Sequence, residues 1–134
     1  MAQSIQRPVH NDDDIPLLKR WREAITAKIN NLRYSAPTML TIASGVIEIT
    51  QDSHRIETEG GAGTDNLDTI NGGTDGRVIL LRAYDSSHTV VVKNGTGNIR
   101  CGTDMSLDSQ EDTITLVYAG NISVWLEQAR ANNA

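Results

Sequence analysis

The sequence of 134 residues contains no phenylalanine, and its aromatic side chains are two tryptophans and three tyrosines. A core built from it must therefore be aliphatic, drawn from Val, Ile and Leu with help from Trp21, Trp125 and the tyrosines. A single cysteine, Cys101, excludes an internal disulfide framework and any metal cluster built on thiolates. It reads as a small buried apolar residue. No run of apolar residues approaches the roughly 18 that a membrane-spanning helix needs. The N-terminal stretch Met1–Asp14 has no apolar h-region, so it is not a secretory signal, and synthesis in the cytoplasm is expected. Basic residues are outnumbered, 12 Lys and Arg against 17 Asp and Glu, for a net charge of −5. With no basic stripe and no aromatics interleaved with Arg or Lys, nucleic acid is not an expected partner. Lys19, Arg20, Arg22, Lys28 and Arg33 read as the solvated face of a helix.

Catalytic constellations are also missing. His10, His54 and His88 lie far apart, outside any metal-ligand spacing, and read as surface or interface residues. Asp85, Ser86, Ser87 and His88 are too close in sequence to converge as a hydrolytic triad, whose members must come from separate elements. The glycine-rich stretch 60–76 matches no phosphate-cradling loop. It reads as a turn-rich loop, with a structural or adventitious Ca²⁺ as the alternative, because it is rich in oxygen ligands. Asp108, Glu111 and Asp112 read as solubility and edge protection before a strand. No enzyme activity, catalytic residue, cofactor or metal site is therefore expected.

What is present divides the chain into four parts. Residues 1–14 form a polar arm without periodicity, carrying Pro8 and the run Asp12-Asp13-Asp14. Residues 15–36 are a helix and hinge: Asp14 is a natural N-cap, Pro16 is tolerated in the first turn, and Tyr34–Pro37 ends the helix. Ile15, Leu18, Arg22, Ile25, Ile29 and Leu32 fall at alternating spacings of three and four, a heptad seam with one charged interruption. Two readings stand side by side. The helix lies on its own β-domain, or it self-associates through Ile15, Leu18, Ile25, Ile29 and Leu32, where isoleucine at both seam positions favours trimers.

Residues 37–128 change pattern to short β-branched runs at 38–43, 46–50, 54–59, 77–84, 89–93, 98–101, 113–118 and 122–128, separated by Gly, Asn, Asp and Ser clusters. This predicts a mainly β fold, a compact antiparallel β-sandwich or β-barrel-like domain preceded by the arm and one α-helix. Ser44-Gly45 and Asn94-Gly95 are tight-turn candidates, and Ala119-Gly120-Asn121 joins the last two strands. Gly-Thr-Asp recurs at 63–65, 73–75 and 102–104 at unequal spacings, which reads as repeated turn chemistry and not as a solenoid. Val78–Leu81 and Val90–Val92 are apolar on both strand faces, and such strands are covered on both. In a small domain the second cover is a neighbouring subunit. Residues 129–134 read as a frayed tail.

From about residue 64 the blocks Asp65–Gly73, Gly76–Arg82, Thr89–Ile99, Leu107-Asp108, Asp112–Leu116 and Trp125–Glu127 occur in an order that resembles a β-module of tailed-bacteriophage virion proteins, found in head-decoration, head-fibre and tail-fibre contexts. The resemblance covers about half the chain. It implies a homotrimer displayed on the virion surface. The short arm, short helix and single β-domain suit a capsid decoration or head-fibre protein, with the major capsid protein or another virion protein as partner. In that reading Ile5, Arg7, Pro8 and Val9 of the arm are the candidate attachment residues. The alternative is a tail-fibre knob that binds a receptor or host-surface glycan.

Overall fold

The computed structural model describes residues 16–30 and 33–134, without the side chains of 27–30. The arm attachment residues Ile5, Arg7, Pro8 and Val9, the seam residues Ile15 and Leu32, and the side chain of Ile29 lie outside the described set. The chain divides into two compact units, residues 1–33 and 34–134.

In the first unit, helix α1 spans Pro16–Asn30. Proline at its first position has the φ that a helix needs and no amide to leave unpaired. The second unit holds β1 (Thr38–Thr41), β2 (Val46–Glu48), β3 (Ser53–Glu57), β4 (Thr64–Leu67), β5 (Thr69–Asn71), β6 (Val78–Ala83), β7 (Thr89–Val92), β8 (Ile99–Arg100), β9 (Met105–Leu107), β10 (Thr113–Ala119) and β11 (Val124–Ala131).

The fold is mainly β with one helix, as expected, but it is a β-solenoid and not an antiparallel sandwich or barrel. Three sheets form, in the orders β1-β3-β6-β10-β11-β8, β2-β5 and β4-β7-β9. The chain visits them in turn and stacks each strand in parallel on its predecessor. Thr38 lies opposite His54 and His54 opposite Leu81; Val46 lies opposite Thr69; Thr64 lies opposite Thr89. Most of the Gly and Asn clusters thus mark corners where the chain passes to another sheet. Ser44-Gly45 makes the expected tight reversal, with φ of 51° and 79° and Ala43 bridged to Val46, and Ala119-Gly120-Asn121 opens the expected turn between β10 and β11, where Ala119 lies opposite Val124; Asn94-Gly95 instead lies in the longer link from β7 to β8. The last turns run the other way: β9 is antiparallel to β7, and β10 to β6 and β11. This reversed layer ends the parallel stack.

Two further corrections follow. Residues 60–76 are not simply a loop, since β4 and β5 lie within them. Residues 129–131 are not frayed but form the end of β11, and the Asn133 amide donates to Asp112 Oδ1 at 2.8 Å.

Each turn of the coil sends a few aliphatic side chains inward. Ile47 stacks on Ile70, Leu67 on Val92 and Met105, Leu81 on Ile114, and Ile79 on Leu116, all of them buried. Ladders of this kind are well filled by branched aliphatic residues and need no phenylalanine. Trp125 is fully buried, donates from Nε1 to the Ile70 carbonyl at 3.1 Å and packs against Tyr118 with ring centroids 5.1 Å apart. Where the third turn has no strand beside β5, Asn98 substitutes for one. Its side-chain carbonyl accepts from the Ile70 amide at 2.9 Å, and its Nδ2 donates to the Ile70 carbonyl at 2.8 Å.

Candidate functional site

A solenoid strand presents alternate residues inward and outward, and only the inward ones are required to be apolar. On the sheet β4-β7-β9 the outward register row is Asn66, Val91 and Ser106. On β2-β5 Glu48 faces out beside Asn71. The six-stranded sheet differs. One outward row runs Val78, Val117, Leu126, and the neighbouring row carries Leu80 beside Thr115. Val78, Leu80 and Val117 are half-buried, while Leu126 keeps 36% of its surface and Ile122, in the adjoining turn, 58%. Met39 of β1, on the same face further along, is 48% exposed. The first row ends at the exposed Arg100, and Met39 shares its row with Arg55 and Arg82, so the apolar surface is a local patch with the doubly apolar run Val78–Leu81 at its centre. The second such run behaves differently, since Val91 is its only outward-facing valine.

The helix carries its own apolar stripe. Leu18 and Ile25, both seam residues, are 43% and 39% exposed, and Leu17 and Trp21 are 71% and 64% exposed. The grooves along it are lined by Leu17, Leu18, Arg20 and Trp21 and by Leu18, Trp21, Arg22, Ile25 and Thr26. They lack the converging polar groups that mark a small-molecule site.

The polar candidates separate once placed in space. Ser87 donates through its amide and hydroxyl to Asp85 Oδ1 at 2.8 and 2.7 Å, and Ser86 Oγ accepts from the Gln110 amide at 3.0 Å. His88 turns away from both serines, placing Nδ1 2.9 Å from Glu57 Oε1, so no serine is paired with a base here. Asp65 accepts from the Glu59 and Asn66 amides, and Asp75 from the Gly120 amide, so these oxygens of the 60–76 segment already satisfy the chain's own donors.

Two residues read from sequence as surface groups are buried instead. His54 is fully buried; its Nε2 accepts from the Thr50 and Gln51 amides at 3.2 and 3.3 Å, and its Nδ1 lies 3.0 Å from Thr38 Oγ1. Burial holds this imidazole below its ordinary pKa. Asp112 is likewise fully buried, accepting from the Asp108, Ser109 and Asn133 amides. Burial pushes its carboxyl up, but these hydrogen bonds outweigh that and hold it below its usual range. Asp112 therefore ties β11 to the turn before β10, and edge protection is not its role.

One association was invisible in the linear order. Glu57, Asp85 and His88 are half-buried, and each offers a ligand atom within 4.8 Å of the others. They meet because β3 and β6 end side by side, with Ile56 opposite Ala83. Burial raises the Glu57 carboxyl, while hydrogen bonds from His88 and Thr58 lower it further, leaving it below its ordinary value. Only the parallel register brings these residues together, and no spacing in the sequence announces it.

No family model and no curated protein sequence matches this chain.

Proposed function

We propose that this chain is a non-catalytic structural protein of a tailed-bacteriophage particle, of the capsid decoration or head-fibre type. It works as a homotrimer on the virion surface and is attached through residues 1–14 to the major capsid protein or another virion protein. The observation that carries the reading is the outward row Val78, Val117 and Leu126 with Leu80 and Ile122, on a fold whose other sheets face outward with mostly polar side chains. An apolar row that the chain does not cover is suited to a second copy of itself. Covering the remaining surface of Leu126 and Ile122 alone is worth about 2 kcal/mol per chain, and threefold symmetry repeats the gain. The order of sequence blocks that resembles virion β-modules supplies the biological setting.

The knob reading has less support. Sugar recognition favours exposed aromatic platforms, and three of the five aromatics offer none: Trp125 is buried, Tyr118 packs on it, and Tyr84 lies under the Arg55 guanidinium, 5.4 Å from ring centroid to Cζ, which leaves Trp21 on the helix and Tyr34 at the start of the second unit as the exposed ones. Light scattering on the purified protein tests the assembly, and electron microscopy of labelled particles tests the location. A mass three times 14.6 kDa and label over the capsid lattice are expected. A concentration-independent monomer, or label at the tail tip, would overturn the corresponding half of the proposal.

A further inference from the structure

The Glu57, Asp85 and His88 cluster has no part in the self-association just proposed, and its composition calls for an explanation of its own. Two carboxylates and one imidazole come from two segments that the parallel register of β3 and β6 sets side by side. The hydrogen bonds already in place organise them without saturating them. Asp85 Oδ1 is held by Ser87, and Glu57 Oε1 by the Thr58 amide at 2.7 Å, the Thr58 hydroxyl at 3.2 Å and His88. The second oxygen of each carboxylate remains available for a ligand bond. Side-chain exposures of 16% for Glu57 and 26% for His88 leave the cluster partly dehydrated yet open to an entering ion. Arg55, two residues before Glu57 on the same strand face, is directed onto the Tyr84 ring.

We propose that Glu57, Asp85 and His88 form a binding site for a single divalent cation of the zinc class, at the corner where β3 and β6 leave the six-stranded sheet. Donor atoms around a zinc ion bonded at about 2.1 Å stand about 3.4 Å apart in tetrahedral geometry. His88 Nδ1 and Glu57 Oε1, at 2.9 Å, are already near that separation. The longer separations are those to Asp85, all within 4.8 Å, and rotation of the Asp85 side chain toward the Glu57–His88 pair closes them. The ion replaces the Glu57–His88 hydrogen bond with two metal bonds, and water completes the coordination. An imidazole ligand selects zinc-class ions over Ca²⁺ and Mg²⁺, which prefer all-oxygen sets. The site links the second and third turns of the coil, so its occupation stabilises the stack.

The test is calorimetric titration of the chelator-treated full-length protein with ZnCl₂ at neutral pH, paired with thermal melts. One zinc per chain and a higher melting temperature are expected, both insensitive to a large excess of Mg²⁺. His88→Gln should weaken binding about tenfold or more and remove the thermal shift. Asp85→Asn keeps an acceptor for Ser87 and leaves the Glu57–His88 pair intact, so it preserves the fold while removing one anionic ligand; it too should weaken binding. Absence of zinc binding to the folded wild-type protein at micromolar concentrations would overturn the proposal. So would binding that folded Asp85→Asn and His88→Gln proteins retain undiminished, which would assign the ion to another histidine.

Discussion

His54 offers the sharpest test of how the coil is held. Its Nε2 accepts from the Thr50 and Gln51 amides, at the corner that delivers the chain into β3. An imidazole nitrogen that accepts carries no proton, so the neutral ring has its proton on Nδ1 and donates to Thr38 Oγ1 on β1. Protonating Nε2 would set an N–H against two N–H donors inside a fully buried site. The folded state therefore resists the proton, and the pKa is depressed. The unfolded chain takes up a proton as pH falls below about 6.5, while the folded chain does not until its own lower pKa is reached. Stability is thus full above about pH 6.5 and is lost as pH falls through that window, by up to about 1.4 kcal/mol per pH unit.

Two substitutions separate the contributions. His54→Leu removes the acceptor and leaves the part-buried Thr50 and Gln51 amides, which share one lone pair, without it, at a cost of about 1–3 kcal/mol. His54→Gln carries a carbonyl to nearly the position of Nε2 and does not titrate. Melts at pH 7.5, 6.5 and 5.5 and fixed protein concentration are the assay. For a domain of this size about 1 kcal/mol corresponds to roughly 4–8 °C. Wild type should lose stability between pH 6.5 and 5.5, by up to about that much, His54→Gln should stay nearly flat, and His54→Leu should melt below both at every pH. If wild type and His54→Gln have the same pH slope, the imidazole is not the titrating group and the reasoning fails.

Other expectations are simpler. A Cβ at Gly97 would overlap the Asp68 carbonyl, so Gly97→Ala should destabilise by about 2 kcal/mol or more in urea unfolding, because the clash is with backbone. Asp112→Ala should cost about 1–3 kcal/mol by removing the buried acceptor of the Asp108, Ser109 and Asn133 amides and should loosen exchange protection at Asn133; wild type should lose the Asp112 contribution only as pH falls below about 4, because that pKa is depressed. Leu126→Asp and Ile25→Asp should each lower the association state in sedimentation while leaving β-rich circular dichroism intact at high concentration. Deleting residues 1–14 should abolish attachment to particles without changing that dichroism.

Sequence patterns revealed individual strands better than their partners. The alternation of Ile114, Leu116 and Tyr118 correctly gives one face of β10, and Ile47 and Ile49 both turn inward with Glu48 outward. The 3.6-residue periodicity and Pro16 locate the helix. Strands β4, β5 and β9 were missed because each is three or four residues long and carries only one or two inward aliphatic residues, such as Leu67 or Ile70. The solenoid itself was hidden by its uneven coils. Thr38 stacks on His54, but His54 stacks on Leu81 across a longer excursion, so no fixed period repeats. The buried roles of His54 and Asp112 depend on corner amides that local sequence cannot pair with them.

The uneven coils also bear on what the outer faces mean. In a solenoid the inward ladder supplies the core, and the stack grows by repeating it, so the outward rows are free to vary. Glu48, Asn66, Asn71 and Ser106 use that freedom as solvent-facing positions do. Val78, Val117 and Leu126 do not, although they lie on central strands that backbone pairing already holds on both sides. β-propensity accounts for the valines, since branched residues suit strands wherever they face. It does not account for Leu80 and Leu126, or for Ile122, which lies outside any strand and is more exposed than either leucine. Those three residues are where the outer face departs from what the fold requires, so they are the ones that the proposed trimer would cover.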